Sequence, residues 1–238
     1  MKKIIFFDTE TTGNTENDYL VQLAYKTGEE TFNKLYKPKI KIPPDASAIH
    51  HITNKMVDNK PVFMESEDFQ NVKDLFEHEH SVLVAHNAPF DMMVMKKEEV
   101  NPKNFIDTLR LARHLDPEEK IAKYNLQYLR YLLDLEVEAT AHDALGDVLV
   151  LEKLFERLKK KMMDDENLDE ESVIEKMIEI SSHPSLLRTF KFGKYNGQKI
   201  EDVLQTDRGY LEWLYEQKIN GDTLDEDWIF TLKHYLGK

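Results

Sequence analysis

The stretch KKIIFFDTETTG, residues 2–13, runs from a short apolar segment directly into two carboxylates. The segment Ile4–Phe7 is rich in β-branched and aromatic residues, which predicts a strand buried on both faces. Asp8 and Glu10 stand two positions apart, so their side chains leave the same face if the strand continues that far. Two like charges on one face repel each other unless a cation lies between them. The stretch therefore predicts either a central strand with a cation site at its end or a strand end that is charged by chance.

The composition is that of a globular protein with its own core, since 41% of the 238 residues are hydrophobic and 32% are charged. The chain has no cysteine, which excludes disulfides and thiolate metal sites and predicts a reducing, cytoplasmic location. No apolar run approaches the length that spans a membrane, so no membrane partner is expected. The net charge of −13 argues against a protein that coats nucleic acid. It leaves open an enzyme that confines its basic residues to one groove.

Strand-like and helix-like segments alternate through the first two thirds of the chain. The strand-like segments are 2–7, 19–27, 31–38 and 81–85. The helix-like segments are 66–79, 89–100, 105–115, 125–135 and 143–162. The turn GEE at 28–30 predicts an antiparallel meander, and the pair Pro43-Pro44 predicts that residues 41–53 form a loop. The alternation indicates one α/β or α+β domain over residues 1–160.

The last third of the chain changes in character after an acidic run, DDENLDEE at 164–171. We predict an acidic linker and a short helix over residues 161–183. Residues 184–238 then form a small C-terminal α+β domain, near the lower size limit for independent stability. Its first part predicts a β-hairpin that turns at Asn196-Gly197, and its second part predicts two closing helices.

Basic and aromatic residues alternate without an acidic residue in RTFKFGKYNGQK, residues 188–199. This pattern is typical of surfaces that contact a nucleic-acid backbone and stack on bases. Lys191 and Lys194 are the predicted contacts. The alternative is that the aromatic side chains fill a small core and the lysines are solvated.

Two further segments carry carboxylates, HNAPFD at 86–91 and HDALGD at 142–147. In the first, His86 and Asn87 end a predicted strand and Asp91 lies near a helix start, where a carboxylate also favours the helix dipole. In the second, the five-residue step from His142 to Asp147 is about 140° around a helix. We therefore place His142 in the preceding loop, where it could equally be an ordinary surface histidine, and Asp147 in the first turns.

Together the segments place four carboxylates at strand ends and helix starts, where active-site residues concentrate in α/β folds. Carboxylate ligands without cysteine suit hard divalent cations such as Mg²⁺ or Mn²⁺. Two such ions about 4 Å apart can hold a phosphodiester, activate water and stabilise the leaving oxygen. A nearby histidine could deprotonate that water, because its pKa lies near neutrality.

At this point a family resemblance is visible. In that order, FDTETTG (7–13), HNAPFD and HDALGD resemble the three motifs of the DEDD 3′–5′ exonuclease superfamily. The spacing of His142 and Asp147 matches the DEDDh, or DnaQ-like, branch. The DEDDy branch has tyrosine where Asp143 stands. The C-terminal segment is similar to one group of bacterial members, and the resemblance covers nearly the whole chain apart from residues about 155–180.

The resemblance implies an RNase H-like exonuclease domain, with a mixed five-stranded sheet flanked by helices. It implies that two metal ions, Mg²⁺ or Mn²⁺, are bound by Asp8, Glu10, Asp91 and Asp147. It implies that His142 is the general base and that DNA is hydrolysed from 3′ ends to nucleoside 5′-monophosphates, a reaction of DNA repair. The residues implied to line the cleft of the terminal nucleotide are Thr9, Thr11, Gly13, Asn14, His86 and Asn87.

Two other functions remain open at the level of sequence. One is an RNA-trimming exonuclease of the same superfamily, since the motifs do not separate DNA from RNA. The other is a non-catalytic module that binds nucleic acid. That module would lack a ligand, whereas all four carboxylates are present. The sequence leaves single or double strands, processivity and oligomeric state undetermined.

Overall fold

The computed structural model describes residues 2–137, 143–221 and 225–238. Its sheet has five strands in the order β3-β2-β1-β4-β5. The strands are β1 (Lys3–Thr11), β2 (Leu20–Thr27), β3 (Glu30–Leu35), β4 (Ser81–Ala85) and β5 (Phe105–Asp107). The middle strand β1 pairs antiparallel with β2 and parallel with β4. The sheet is therefore mixed and five-stranded, and the meander of β1, β2 and β3 is confirmed.

Helices cover the sheet and form most of the C-terminal part of the chain. They are α1 (Pro44–His50), α2 (Asn54–Val57), α3 (Phe69–Glu77), α4 (Ala88–Lys97), α5 (Thr108–His114), α6 (Leu126–Leu132), α7 (Ala144–Glu166), α8 (Glu170–Ser181), α9 (Ile200–Thr206), α10 (Arg208–Ile219) and α11 (Glu226–Leu236). In the described part of the chain, none of them is both long and apolar enough to cross a membrane.

The strand β1 is buried on both faces, as its composition predicts. Phe6 packs with its ring centroid 5.3 Å from that of Phe155 of α7. Phe7 points to the other face and packs 5.4 Å from Phe76 of α3. Because side chains alternate along a strand, Asp8 and Glu10 leave on the face that carries Phe6. The strand thus directs its two carboxylates towards α7.

Three local predictions are wrong. Residues 41–53 contain α1, because Pro44 stands in its first turn, where the missing N–H costs nothing. Residues 105–107 form β5 rather than the start of a helix, since three residues are too few to show a strand period. The predicted hairpin is reduced to one antiparallel bridge between Thr189 and Lys199, around a short 3₁₀ turn. The two closing helices, α10 and α11, are confirmed.

The segment predicted as an acidic linker is largely helical. The helix α7 continues to Glu166, past the predicted boundary at residue 160. The predicted short helix is α8, which buries Val173 and Met177 in the core that surrounds α7. Residues 161–183 therefore extend the first core. The C-terminal residues pack a separate core that includes Phe190, Trp228 and Leu232.

A buried arginine joins the two cores. Arg110 of α5 is 3% exposed and ion-pairs with Glu226 at 2.6 Å and with Asp227 at 3.5 Å, both at the start of α11. It also lies 3.7 Å from Asp107 and donates to the Ser181 carbonyl at 2.6 Å. Arg113 pairs with Asp227 as well. We call this set of contacts the ionic seam. It fixes α11 against α5.

We expect Arg110→Ala to destabilise the protein by about 3 kcal/mol, because it leaves buried carboxylates without their partner. The free energy of unfolding from urea titrations measures this. The control is Lys160→Ala, which removes an exposed pair with Asp164 at 3.0 Å and should cost about 0.5 kcal/mol or less. Equal losses for the two variants would show that the seam does not hold the domains together.

Candidate active site

Three of the predicted carboxylates meet at the end of β1. Asp8, Glu10 and Asp147 each place one carboxylate oxygen within 4.8 Å of the others. Asp8 and Glu10 come from the same face of β1, and Asp147 lies in the first turn of α7. We call these three residues the carboxylate cluster. The common face and the helical position that the sequence predicted are both confirmed.

Asp91 approaches the cluster from α4, on the other face of the sheet. Its Oδ1 accepts the Thr9 N–H at 3.1 Å and the Thr9 hydroxyl at 2.7 Å. Asp91 is 4% exposed, and its charge contributes to raising the pKa of Asp8. The structure therefore brings Asp91 near Asp8 but outside the tight cluster, and Thr9 fixes its position.

The cluster holds its carboxyls in an unfavourable environment for charge. Burial, followed by the neighbouring carboxylates, raises the pKa of Glu10 to about 8 and that of Asp8 well above its usual value. Burial raises the pKa of Asp91 to about 7, although the bonds from Thr9 oppose the rise. A divalent cation relieves this repulsion, and the all-oxygen donor set suits Mg²⁺ or Mn²⁺. The residues present thus fit a metal of the predicted kind.

A pocket of about 470 Å³ lies beside Glu10 and is lined by Thr9, Thr11, Gly13 and Asn14, the residues predicted to surround a terminal nucleotide. Asp18 organises the loop that follows β1, because its carboxylate accepts from Thr12 Oγ1 and from Thr15 N, both at 2.8 Å. A Cβ on Gly13 would lie 2.6 Å from this carboxylate, so a larger residue there would displace Asp18 from its hydrogen bonds.

His86 and Asn87 take different positions in the wall beside α4. The His86 ring lies 2.9 Å from Thr108 Oγ1 and 2.7 Å from the Tyr124 carbonyl oxygen. A carbonyl only accepts, so Nε2 carries the proton, and burial lowers the pKa of His86 to about 4. His86 is thus a neutral support of the wall. Asn87 is exposed, with its N–H bonded to Asp107.

Three predicted residues remain to be located. His142 lies outside the described residues. Lys191 is exposed and donates to the carbonyls of Glu119 and Ile121 at 2.9 and 3.1 Å. Lys194 pairs with Asp207 at 3.0 Å and lies over the Tyr195 ring. Both lysines are on the C-terminal domain, and only Lys191 faces the first domain.

Sequence reasoning missed a polar contact to the cluster. Gln127 of α6 donates its amide to Asp147 Oδ1 at 2.5 Å, and its own carbonyl accepts from Arg130 at 3.3 Å. The sequence pattern of residues 125–135 predicted a helix and no role in the site. The available signal was a polar residue, Gln127, between Leu126 and Leu129, which both pack against the core.

Fold and site together define a nuclease-like enzyme, and comparison with known proteins agrees. Residues 5–155 match the model of the exonuclease family, so the chain belongs to that family and is an enzyme, as its motifs predicted. Residues 190–218 match the model of the exodeoxyribonuclease X-like C-terminal family.

The chain is 35% identical over 205 residues to exodeoxyribonuclease 10 of Escherichia coli strain K12, covering 85% of this chain and 83% of that protein. It is 37% identical over 164 residues to the DNA polymerase III subunit epsilon of Treponema pallidum, covering 63% of this chain and 73% of that one.

Among solved structures, it resembles exonuclease X in complex with 5′ overhanging duplex DNA. The TM-score is 0.57 and the identity 28%, over 75% of this chain and 99% of that one. The resemblance to a group of bacterial members that the C-terminal segment indicated is thus confirmed, and that group is exonuclease X.

The metal-free protein should lose stability as the pH rises. The pKa of Glu10 is about 8 in the folded protein against an ordinary 4.5, so between those values the folded state binds protons that the unfolded chain has released. The free energy of unfolding in EDTA should therefore fall from about pH 5 to about pH 8, and Glu10→Gln should reduce the fall. Added Mg²⁺ should stabilise the wild type most at pH 8. Identical pH profiles of stability for the wild type and the variant would show that Glu10 does not cause the pH dependence.

Gln127→Met should weaken divalent metal binding roughly tenfold, because the hydrogen bond from Gln127 that orients the Asp147 carboxylate is lost. Isothermal titration with Mn²⁺ measures this affinity directly, without reference to activity. Gln217→Met on the exposed face of α10 is the matched control and should bind Mn²⁺ like the wild type. Unchanged affinity in Gln127→Met would show that the bond to Asp147 is not needed to hold the metal.

Proposed function

We propose that this exonuclease hydrolyses DNA one nucleotide at a time from 3′ ends and releases nucleoside 5′-monophosphates. The observation that carries the proposal is the carboxylate cluster, with Asp91 beside it, next to a pocket that can receive one terminal nucleotide. The relatives named for exodeoxyribonuclease activity and the related structure solved with DNA support DNA as the substrate.

The residues proposed to hold two metal ions are Asp8, Glu10, Asp91 and Asp147. When bound, Mg²⁺ or Mn²⁺ supplies positive charge beside the scissile phosphate and lowers the pKa of water. Burial on both faces of β1 holds Asp8 and Glu10 in place, and Thr9 holds Asp91 by two hydrogen bonds.

The reaction that we propose is attack of water on the phosphorus of the last phosphodiester. The bond from phosphorus to the 3′ oxygen of the preceding nucleotide breaks, so the terminal nucleotide leaves with the phosphate on its 5′ carbon. A ring nitrogen of His142 accepts a proton from the attacking water, in keeping with the pKa of histidine near neutrality. The leaving 3′ oxygen takes up a proton, which balances the step.

We further propose that Thr11, Gly13 and Asn14 contact the terminal nucleotide, because they line the pocket beside Glu10. His86 acts on the cleft indirectly, through the wall that it supports. Of the two lysines that the sequence predicted, we propose Lys191 as the contact to the strand, because Lys194 is paired with Asp207. A role in DNA repair and a cytoplasmic location remain predictions.

The proposal is tested with a 5′-labelled strand in Mg²⁺ and in EDTA. We expect a ladder that shortens by one nucleotide at a time, and nucleoside 5′-monophosphates as the product. Asp8→Asn should reduce the rate roughly a thousandfold, since metal charge is worth several kcal/mol at the transition state. The exposed Asp58→Asn is the matched control.

Full activity in EDTA would contradict metal-dependent hydrolysis. Immediate release of the labelled 5′ nucleotide would contradict the direction. The same assay on RNA of identical sequence tests the RNA-trimming alternative. If RNA is degraded faster than DNA, RNA and not DNA is the preferred substrate. Duplexes with recessed and protruding 3′ ends then determine which end structure is used.

A further inference from the structure

A cavity of about 640 Å³ separates the first domain from the C-terminal domain. The first domain contributes the start of α4, part of α5 and residues 122–125. The C-terminal domain contributes Lys191 and the start of α11. Asn14 and Phe90 line both this cavity and the pocket beside Glu10, so the two spaces meet at these side chains. We call the larger space the interdomain cleft.

The acidic residues of the interdomain cleft are already paired. They are Asp107, Asp225, Glu226 and Asp227. Arg110 and Arg113 pair with three of them in the ionic seam. Lys218 pairs with Asp225. These carboxylates therefore repel an incoming anion less than their number suggests.

Among the described residues, two lysines of the interdomain cleft make no ion pair with a carboxylate. Lys123 is exposed and has no hydrogen bond or ion pair in the described part of the chain. Lys191 donates to two backbone carbonyls, which orient its ammonium group, and its charge also helps to lower the pKa of the Asp116 carboxyl nearby. In a chain of net charge −13, these two lysines place positive charge on the rim of the interdomain cleft without an ion pair among the described residues.

The other walls suit bases and sugars. Phe90 and Met93 present apolar surface to the cleft and are partly exposed. Asn14 and Asn87 are exposed there, with no side-chain bond among the described residues. Basic side chains combined with aromatic and apolar surface are the means by which proteins hold a single strand without reading its sequence.

We propose that the interdomain cleft holds the part of the substrate strand that precedes its 3′-terminal nucleotide, with Lys123 and Lys191 on its phosphates. The C-terminal domain is then the second wall of the substrate site, and the ionic seam keeps the cleft open before the strand arrives. This inference rests on the proposed function, since it needs a strand whose end lies beside Glu10.

The test compares single-stranded DNA of ten nucleotides with a dinucleotide, which is too short to fill the cleft. For Lys123→Gln combined with Lys191→Gln, kcat/KM on the longer strand should fall roughly tenfold, mainly through KM, and stay unchanged on the dinucleotide. The plot of log kcat/KM against log salt should become shallower by about 1.4, or about 0.7 for each lost phosphate contact. Lys123→Gln alone should give about half of this change in slope.

The matched control is Lys103→Gln combined with Lys233→Gln, which removes the same charge from exposed positions that do not line the cleft. It should keep the wild-type kinetics and salt dependence. Equal losses on the ten-nucleotide strand and the dinucleotide, or a salt slope like that of the control, would overturn the inference.

Binding separates this inference from the proposed function. Anisotropy of a labelled ten-nucleotide strand in EDTA compares the same variants without hydrolysis. A wild type that binds the strand in EDTA but does not shorten it when Mg²⁺ is added would contradict the proposed function. Weaker binding by Lys123→Gln combined with Lys191→Gln would still support strand binding in the interdomain cleft. Binding equal to that of the control variant would overturn that inference.

Discussion

The repulsion between carboxylates at the end of β1 is the constraint on which the site depends. Asp8 and Glu10 cannot move apart, because the strand that carries them is packed on both faces by Phe6 and Phe7. Asp147 is fixed from the opposite side by α7. The charge can therefore be balanced only by protons or by a cation, and the raised pKa of Glu10 shows the cost when no cation is present. A rigid core is thus what makes the metal site possible.

The carboxylates of the candidate site come from both faces of one sheet. Asp8 and Glu10 point towards α7, whereas Asp91 comes from α4 behind the sheet. Thr9 points towards α4 and bonds Asp91, so one strand positions residues on both of its faces. The alternation of side chains along a β-strand usually separates core from solvent. Here it distributes the candidate metal ligands around a strand end.

Much of the fold and most of the site follow from local pattern. The apolar run before Asp8 identified the strand, and the helical period of the segment 143–162 identified α7. The order of the three motifs identified the family. What failed was short or non-local. β5 has three residues, which is less than two strand periods. Proline ends most helices but also begins some, as Pro44 begins α1. Contacts such as Arg113 with Asp227 join residues 114 apart, and no local pattern encodes them.

The ionic seam also bears on how freely the two parts of this chain can be exchanged in evolution. Comparison by sequence divides the chain into two families, as if each were a module. Yet the guanidinium of Arg110, in the first part, is buried against carboxylates of the second. A first domain transferred without its partner would lose the carboxylates of Glu226 and Asp227 from this arginine and keep only Asp107, at 3.7 Å. Separating the two parts would therefore require a compensating change in α5.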